Sequence, residues 1–278
     1  MTLVCLGSVK GSPGVTLTAL LTAAVWPQRE GRQKVLLEAD PDGGSLAVRY
    51  QMPTRPGLLS LAAATGNSLS RDGIWEHAQA LPGGLPAVVA PPSPDQASVA
   101  MRSVGADMGD WLSAAPIDVI ADIGRLSPQA PTARFMSSAD AVLVVARPTA
   151  DQLQPAAHRM QALSERLQVG WVLIGDRPYS PNDVADAFGF PVVAVLPDDT
   201  RAAARMIDGA DPTKLKRSPL MREVGSLADS LTTWLSAKDV NLAVEADDPT
   251  TTGQASVAAN PPPPASTASS SLDQGTVT

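Results

Sequence analysis

Residues 3–21, LVCLGSVKGSPGVTLTALL, decide how this chain folds. An apolar run from Leu3 to Leu6 stops at Gly7, and Lys10-Gly11-Ser12-Pro13-Gly14-Val15-Thr16 follows. Leu17, Leu20, Leu21 and Ala24 then recur at helical spacing. Strand, glycine loop and helix in this order form the context of a phosphate loop. Such a loop works because consecutive backbone N–H groups, backed by a helix N-terminus, face anionic oxygens. Glycine permits the positive φ and close backbone approach that this needs. One element is missing: where a phosphate-gripping lysine should precede the hydroxyl of Thr16, the chain carries Val15.

Working outward, Lys34–Leu37 predicts a second buried strand, closed by Glu38-Ala39-Asp40-Pro41-Asp42-Gly43-Gly44. Carboxylates at a strand's carboxyl end, facing the loop of the preceding strand, are placed to order Mg²⁺ and water. Helices are expected at Pro56–Leu61, Ser70–Ala80 and Ser93–Ala114, the last packing through Val99, Met101, Val104, Met108, Trp111 and Leu112. Leu85–Ala90 predicts a strand, and so does Ile117–Gly124, which carries Asp122 near its end. Strands Ala141–Ala146, Val169–Ile174 and Val192–Leu196 alternate with helices Thr149–Leu167 and Asn182–Phe188. A last helix, Pro219–Leu235, aligns Leu220, Val224, Leu227, Leu231, Trp234 and Leu235 on one face. Continuous apolar strands alternating with helices specify an α/β fold: three layers, doubly wound, with a mostly parallel sheet covered on both faces. Taken singly, the loop also fits a plain strand-turn-helix, and the acidic segments fit ordinary turns.

Together these features resemble the MinD/ParA family of deviant Walker A proteins from residue 2 to about residue 236. Lys10, Gly11, Gly14 and Thr16 fall on the family's loop positions, Ser12 replaces a glycine, and Val15 replaces the second lysine. The resemblance implies a nucleotide site made of Lys10, Gly11, Ser12, Pro13, Gly14, Val15, Thr16 and Leu17, with Pro197 and Asp198 near the base. It implies that Thr16 and Asp122, the latter on the Walker B position, hold Mg²⁺ for ATP or ADP. Lys10 and Asp40 take the catalytic roles: Lys10 reaches the partner's nucleotide across a dimer, and Asp40 positions the attacking water. Glu38 stands where the first aspartate of the family's Asp-x-Asp motif is expected. Further departures are Ile123-Gly124-Arg125 in place of Thr-Pro-Pro, and Gly175-Asp176-Arg177-Pro178 where an adenine-reading asparagine is usual.

Composition narrows the classes. Hydrophobic residues make up 44% of 278 and charged ones 18%, enough for a sizeable core. A lone Cys5 excludes a disulfide framework and an iron–sulfur cluster, and it suits a reducing compartment. His77 and His158 lie in expected helices without a metal-ligand pattern. No run reaches the ~18 apolar residues of a membrane span, and an apolar strand precedes Lys10 where a charged leader would stand, so a cytoplasmic chain is expected. Between Arg201 and Arg222 six basic residues face two acidic ones, and Arg201, Arg205, Lys214, Lys216 and Arg217 form a candidate DNA-binding set. A solvated surface is the favoured alternative, because the whole chain carries −7.

The domain is expected over 1–237, followed by a disordered, acidic tail at 238–278 rich in Pro, Ala, Ser and Thr. The chain resembles, in character, the degenerate TadZ/CpaE-like and actinobacterial MinD-like members, which suit Glu-Ala-Asp-Pro-x-Gly-Gly and sixteen arginines against five lysines. The expectation is a homodimerising pseudo-ATPase, a spatial organiser serving a chromosome or plasmid partitioning, pilus or secretion apparatus, with weak or no ATP hydrolysis. The alternatives are an active ATPase with an ATP-dependent dimer switch and, last, a small-molecule synthetase on the same fold.

Overall fold

A computed structural model describes residues 2–10, 14–29, 31–65, 73–114, 116–215 and 217–246; at 106–107, 109–110, 112–114 and 236–246 it describes the backbone alone. Loop residues Gly11, Ser12 and Pro13, the basic residue Lys216 and the tail from 247 onward lie outside the described residues.

The elements run β1 (Thr2–Ser8), α1 (Val15–Val25), β2 (Gln33–Glu38), α2 (Leu46–Arg49), α3 (Leu58–Thr65), β3 (Gln79–Ala80), β4 (Pro86–Val88) and α4 (Pro94–Ala114). After them come β5 (Ile117–Arg125), α5 (Ala133–Met136), β6 (Ala141–Ala146), α6 (Ala150–Ser164), β7 (Gln168–Ile174), α7 (Pro181–Phe188), β8 (Val192–Leu196), α8 (Thr200–Ile207) and α9 (Pro219–Ala246). The eight strands form one sheet in the order β3-β4-β2-β5-β1-β6-β7-β8. Every neighbouring pair is parallel except β3 with β4 at the edge.

Strand β1 is buried along its whole length, because each of its faces meets a separate apolar layer. Leu3 and Cys5 point into a layer built with Leu61 of α3, Met101 and Val104 of α4, Phe135 of α5 and Met160 of α6. Val4 and Leu6 point the other way, against Leu20 and Leu21 of α1, Leu46 of α2, Met206 of α8 and Leu227 of α9. This period-two division, with both sides apolar, is what a parallel sheet between two helical layers demands. The expected α/β, doubly wound, mostly parallel architecture is the one observed. Burial also pushes the Cys5 thiol far above its ordinary range, leaving it an inert core side chain.

Several details differ from expectation. Within Ser70–Ala80, the described part is a 3₁₀ turn, Gly73–His77, followed by β3; Gln79 and Ala80 pair with Ala87 and Pro86, and the ladder takes precedence over the helix. Val99 is 58% exposed rather than packed, since two residues from Met101 puts it on the opposite side of α4. Helices α2, α5 and α8 were not expected; α2 and α5, of four residues each, are too short for a periodic signal, whereas α8 buries Ala202 and Met206 on one face. Helix α9 is helical to Ala246, past Leu235 and past Lys238, where the tail was expected to start. Residues 236–246 contain no proline or glycine to stop it. The chain divides into two units, Met1–Lys238 and Asp239–Thr278.

Leu227 on α9 is fully buried under the sheet. Leu227→Ala should cost about 2–5 kcal/mol through lost transfer energy and the cavity left behind, read as a lower urea midpoint with an unchanged slope.

Candidate functional site

A cleft of about 650 Å³ opens at the carboxyl ends of the strands, a size typical of small-molecule sites. It lies by the central strands β5, β1 and β6, where successive crossovers leave toward opposite edges of the sheet. Ligands of open parallel sheets bind at such switch points. The cleft is walled by Gly14, Val15, Thr16 and Leu17 from the start of α1, and by Asp40 and Asp42 after β2. Asp122, Gly124 and Arg125 enter from β5, Arg147 from beyond β6, and Pro197, Asp198 and Asp199 from beyond β8.

Gly14 caps α1 at φ 94°, a left-handed conformation that favours glycine, and its carbonyl accepts from the Thr18 N–H at 2.8 Å. Val15 is only 8% exposed and packs in the apolar layer with Leu6, Ala19 and Leu143 while also edging the cleft. The position that a lysine would fill is therefore plugged by core. Lys10 is exposed and stands outside the lining of the cleft.

The acids divide into two kinds. Asp122 is 1% exposed, and its Oδ1 accepts the Gly124 N–H at 3.1 Å. Its Oδ2 has no hydrogen-bond partner among the described residues. Burial pushes the carboxyl up to about 7, against the Thr16 side chain that faces it and favours its charged form, with the Asp40 charge adding to the rise. A cation is what such an orphaned, buried carboxylate beside a hydroxyl lacks. Among the described residues no cluster of three or more His, Cys, Asp or Glu is set to hold a metal.

Asp40 accepts the Asp42 N–H at 2.8 Å and is raised mainly by burial, with the Arg125 charge acting the other way. It rests against the backbone of Gly124, which has φ +62°; a Cβ there would collide with the Asp40 carboxylate. The Gly124 that departs from the family pattern is thus required by the aspartate that matches it.

Glu38, which stands where the first aspartate was expected, makes only structural contacts among the described residues. It is 1% exposed, and its Oε1 accepts the Ser45 and Leu46 N–H groups at 2.6 and 3.0 Å while Oε2 accepts that of Ala90 at 2.9 Å. Burial raises its carboxyl despite these bonds. Glu38 is a brace between the end of β2, the start of α2 and the residues that follow β4, and it is not among the residues lining the cleft.

Asp198 is hydrogen-bonded to the Arg147 guanidinium at 2.7 Å, which holds its carboxyl below the usual range. Arg201, Arg205, Lys214 and Arg217 are exposed and lie outside the cleft lining. Sequence reasoning missed three arginines that do line it, Arg49, Arg125 and Arg147. Arg125 ends β5 and Arg147 follows immediately on β6, a signal that could have been read; Arg49 rides on the unforeseen α2.

Neither a family model nor a curated protein matches the chain. Solved structures do. The cell division ATPase MinD of Pyrococcus furiosus superposes at TM-score 0.67 with 19% identity, over 84% of this chain and 99% of that one. A ParA family ATPase from Chlorobium tepidum gives 0.67 and 17%, over 82% and 98%. Cobyrinic acid a,c-diamide synthase from Mycobacterium smegmatis, solved with an ATP analogue and magnesium, gives 0.56 and 18%, over 84% and 94%. The chain thus has the MinD/ParA-like P-loop fold.

Two substitutions test the local geometry. Glu38→Ala leaves three backbone N–H groups without their acceptor and should cost about 3 kcal/mol or more, at about 1–3 kcal/mol per orphaned group. Gly124→Ala should lose about 1 kcal/mol for the left-handed backbone alone and more from displacing Asp40, both read as a lowered thermal midpoint.

Proposed function

We propose that this chain is a MinD/ParA-like positioning protein that binds nucleotide weakly and hydrolyses it slowly or not at all, acting as a scaffold for other proteins. The observation that carries this is Val15, a buried core side chain at the loop position where a cation would grip phosphate. Without that lysine, a charge-assisted contact and the stabilisation of the transition state are lost. The rest of the constellation is retained: Thr16 faces Asp122, and Asp40 is held at the mouth of the cleft.

In this scheme Thr16 and Asp122 hold Mg²⁺, which supplies neutralisation of phosphate charge when bound. Asp40 orients water, and Lys10, which is exposed, reaches toward a second copy of the chain. Pro197 and Asp198 border the base end of the cleft, with Asp198 tied to Arg147. Partners are proteins of a partitioning, pilus or secretion apparatus. Among the described residues no helix is long and apolar enough to cross a membrane, in keeping with the proposed cytoplasmic setting. The alternative, an ATPase with a nucleotide-dependent dimer switch, is favoured by one observation, the intact Thr16–Asp122–Asp40 group.

Calorimetric titration with Mg-ATP and Mg-ADP, with mass followed by light scattering, separates the two. The scaffold proposal expects weak binding and no ATP-dependent dimer; micromolar binding with a monomer-to-dimer shift would return the chain to the switch class. Val15→Lys should raise Mg-ATP affinity by about tenfold or more, the worth of one charge-assisted contact. Absence of Mg-ATP binding by both wild type and Val15→Lys would mean that the cleft does not accept phosphate. DNA binding at low salt is not expected; binding lost on neutralising Lys214 and Arg217 would install it.

A further inference from the structure

We infer that Arg125 supplies the charge toward phosphate that Val15 cannot: the cation of this site comes from the end of β5 instead of the start of α1. This role rests on the cleft being a polyphosphate site, as proposed above. Its first support is register. Arg125 pairs with Ser8 across the β1–β5 ladder, and the Leu126 N–H donates to the Ser8 carbonyl at 2.8 Å. That places Arg125 beside the last residue of β1, where the loop departs. Its side chain is exposed, lines the cleft, and forms no ion pair among the described residues.

The other cations of the cleft are engaged differently. Arg147 is bound to Asp198 at 2.7 Å, and Arg49 bears on the buried Glu38. Arg125 bears on Asp40, the carboxylate at the cleft mouth. Gly124 makes the approach possible, since its left-handed turn and missing side chain bring the backbone before Arg125 directly against Asp40. Arginine suits such a role, because its planar fork donates two parallel hydrogen bonds to phosphate oxygens and remains charged at any physiological pH.

The test is titration of the full chain with inorganic tripolyphosphate and with Mg-ATP, for wild type, Arg125→Gln, Arg125→Lys, Val15→Lys and the double variant Val15→Lys/Arg125→Gln. Because Arg125 is exposed, its variants should keep the wild-type thermal midpoint. The expected result is that Arg125→Gln weakens tripolyphosphate and Mg-ATP binding by about tenfold or more, that Arg125→Lys loses less, and that Val15→Lys restores the loss. Equal affinities of wild type and Arg125→Gln would overturn the assignment and leave the cleft a polyphosphate site. Binding by Val15→Lys but not by wild type would likewise remove Arg125 while sparing the cleft. Binding by neither would refute the polyphosphate site itself, and the role of Arg125 with it.

Discussion

Strand β1 has hydrogen-bonded neighbours on both sides and an apolar layer on both faces, and the rest of the molecule is arranged to satisfy it. Parallel pairing with β5 and β6 accounts for its backbone groups, which in a buried strand must all find partners. Its side chains alternate between two helical layers. A strand enclosed in this way releases the chain at one place only, its carboxyl end. There Ser8 gives way to the loop, and the ends of β2, β5 and β6 deliver Asp40, Asp122 and Arg147 to the same cleft.

The carboxylates reached by these strands show how position in one sheet separates structural from chemical roles. Glu38 and Asp122 are each 1% exposed and sit opposite one another in the β2–β5 register. Glu38 has three backbone donors to compensate its burial, whereas Asp122 has one, together with the facing Thr16 hydroxyl, and keeps an oxygen without a partner. A fully compensated buried carboxylate braces a loop. An undercompensated one carries an unrelieved desolvation cost, which a cation nearby would lower. Two acids paired across neighbouring strands thus differ in how far their burial is compensated.

Val15 shows the reverse trade. A lysine at the first turn of α1 would serve an anion, but an apolar side chain serves the layer formed with Leu6 and Ala19. The chain gains packing at the helix start and loses a fixed charge in the cleft. The cations that do line the cleft are arginines on neighbouring strand ends and on α2. A phosphate site in general needs positive charge and directed donors at the right distance, not a given backbone position to carry them.

By itself the sequence determined the alternation of strands and helices and the two-sided burial of the sheet, and it singled out Thr16, Asp40 and Asp122, which line one cleft. These are legible because hydrophobic period, glycine punctuation and strand-end acids are local patterns, set by backbone sterics and burial. Only the tertiary structure decided that Glu38 is a brace, that Gly124 yields its side-chain space to Asp40, and that Arg125 stands beside Ser8. Each of those facts joins residues distant in sequence, such as Glu38 with Ala90 and Asp40 with Gly124. The physical reason is that hydrogen-bond satisfaction and close contact depend on which strand ends the sheet brings together, and strand order is not written in any single segment.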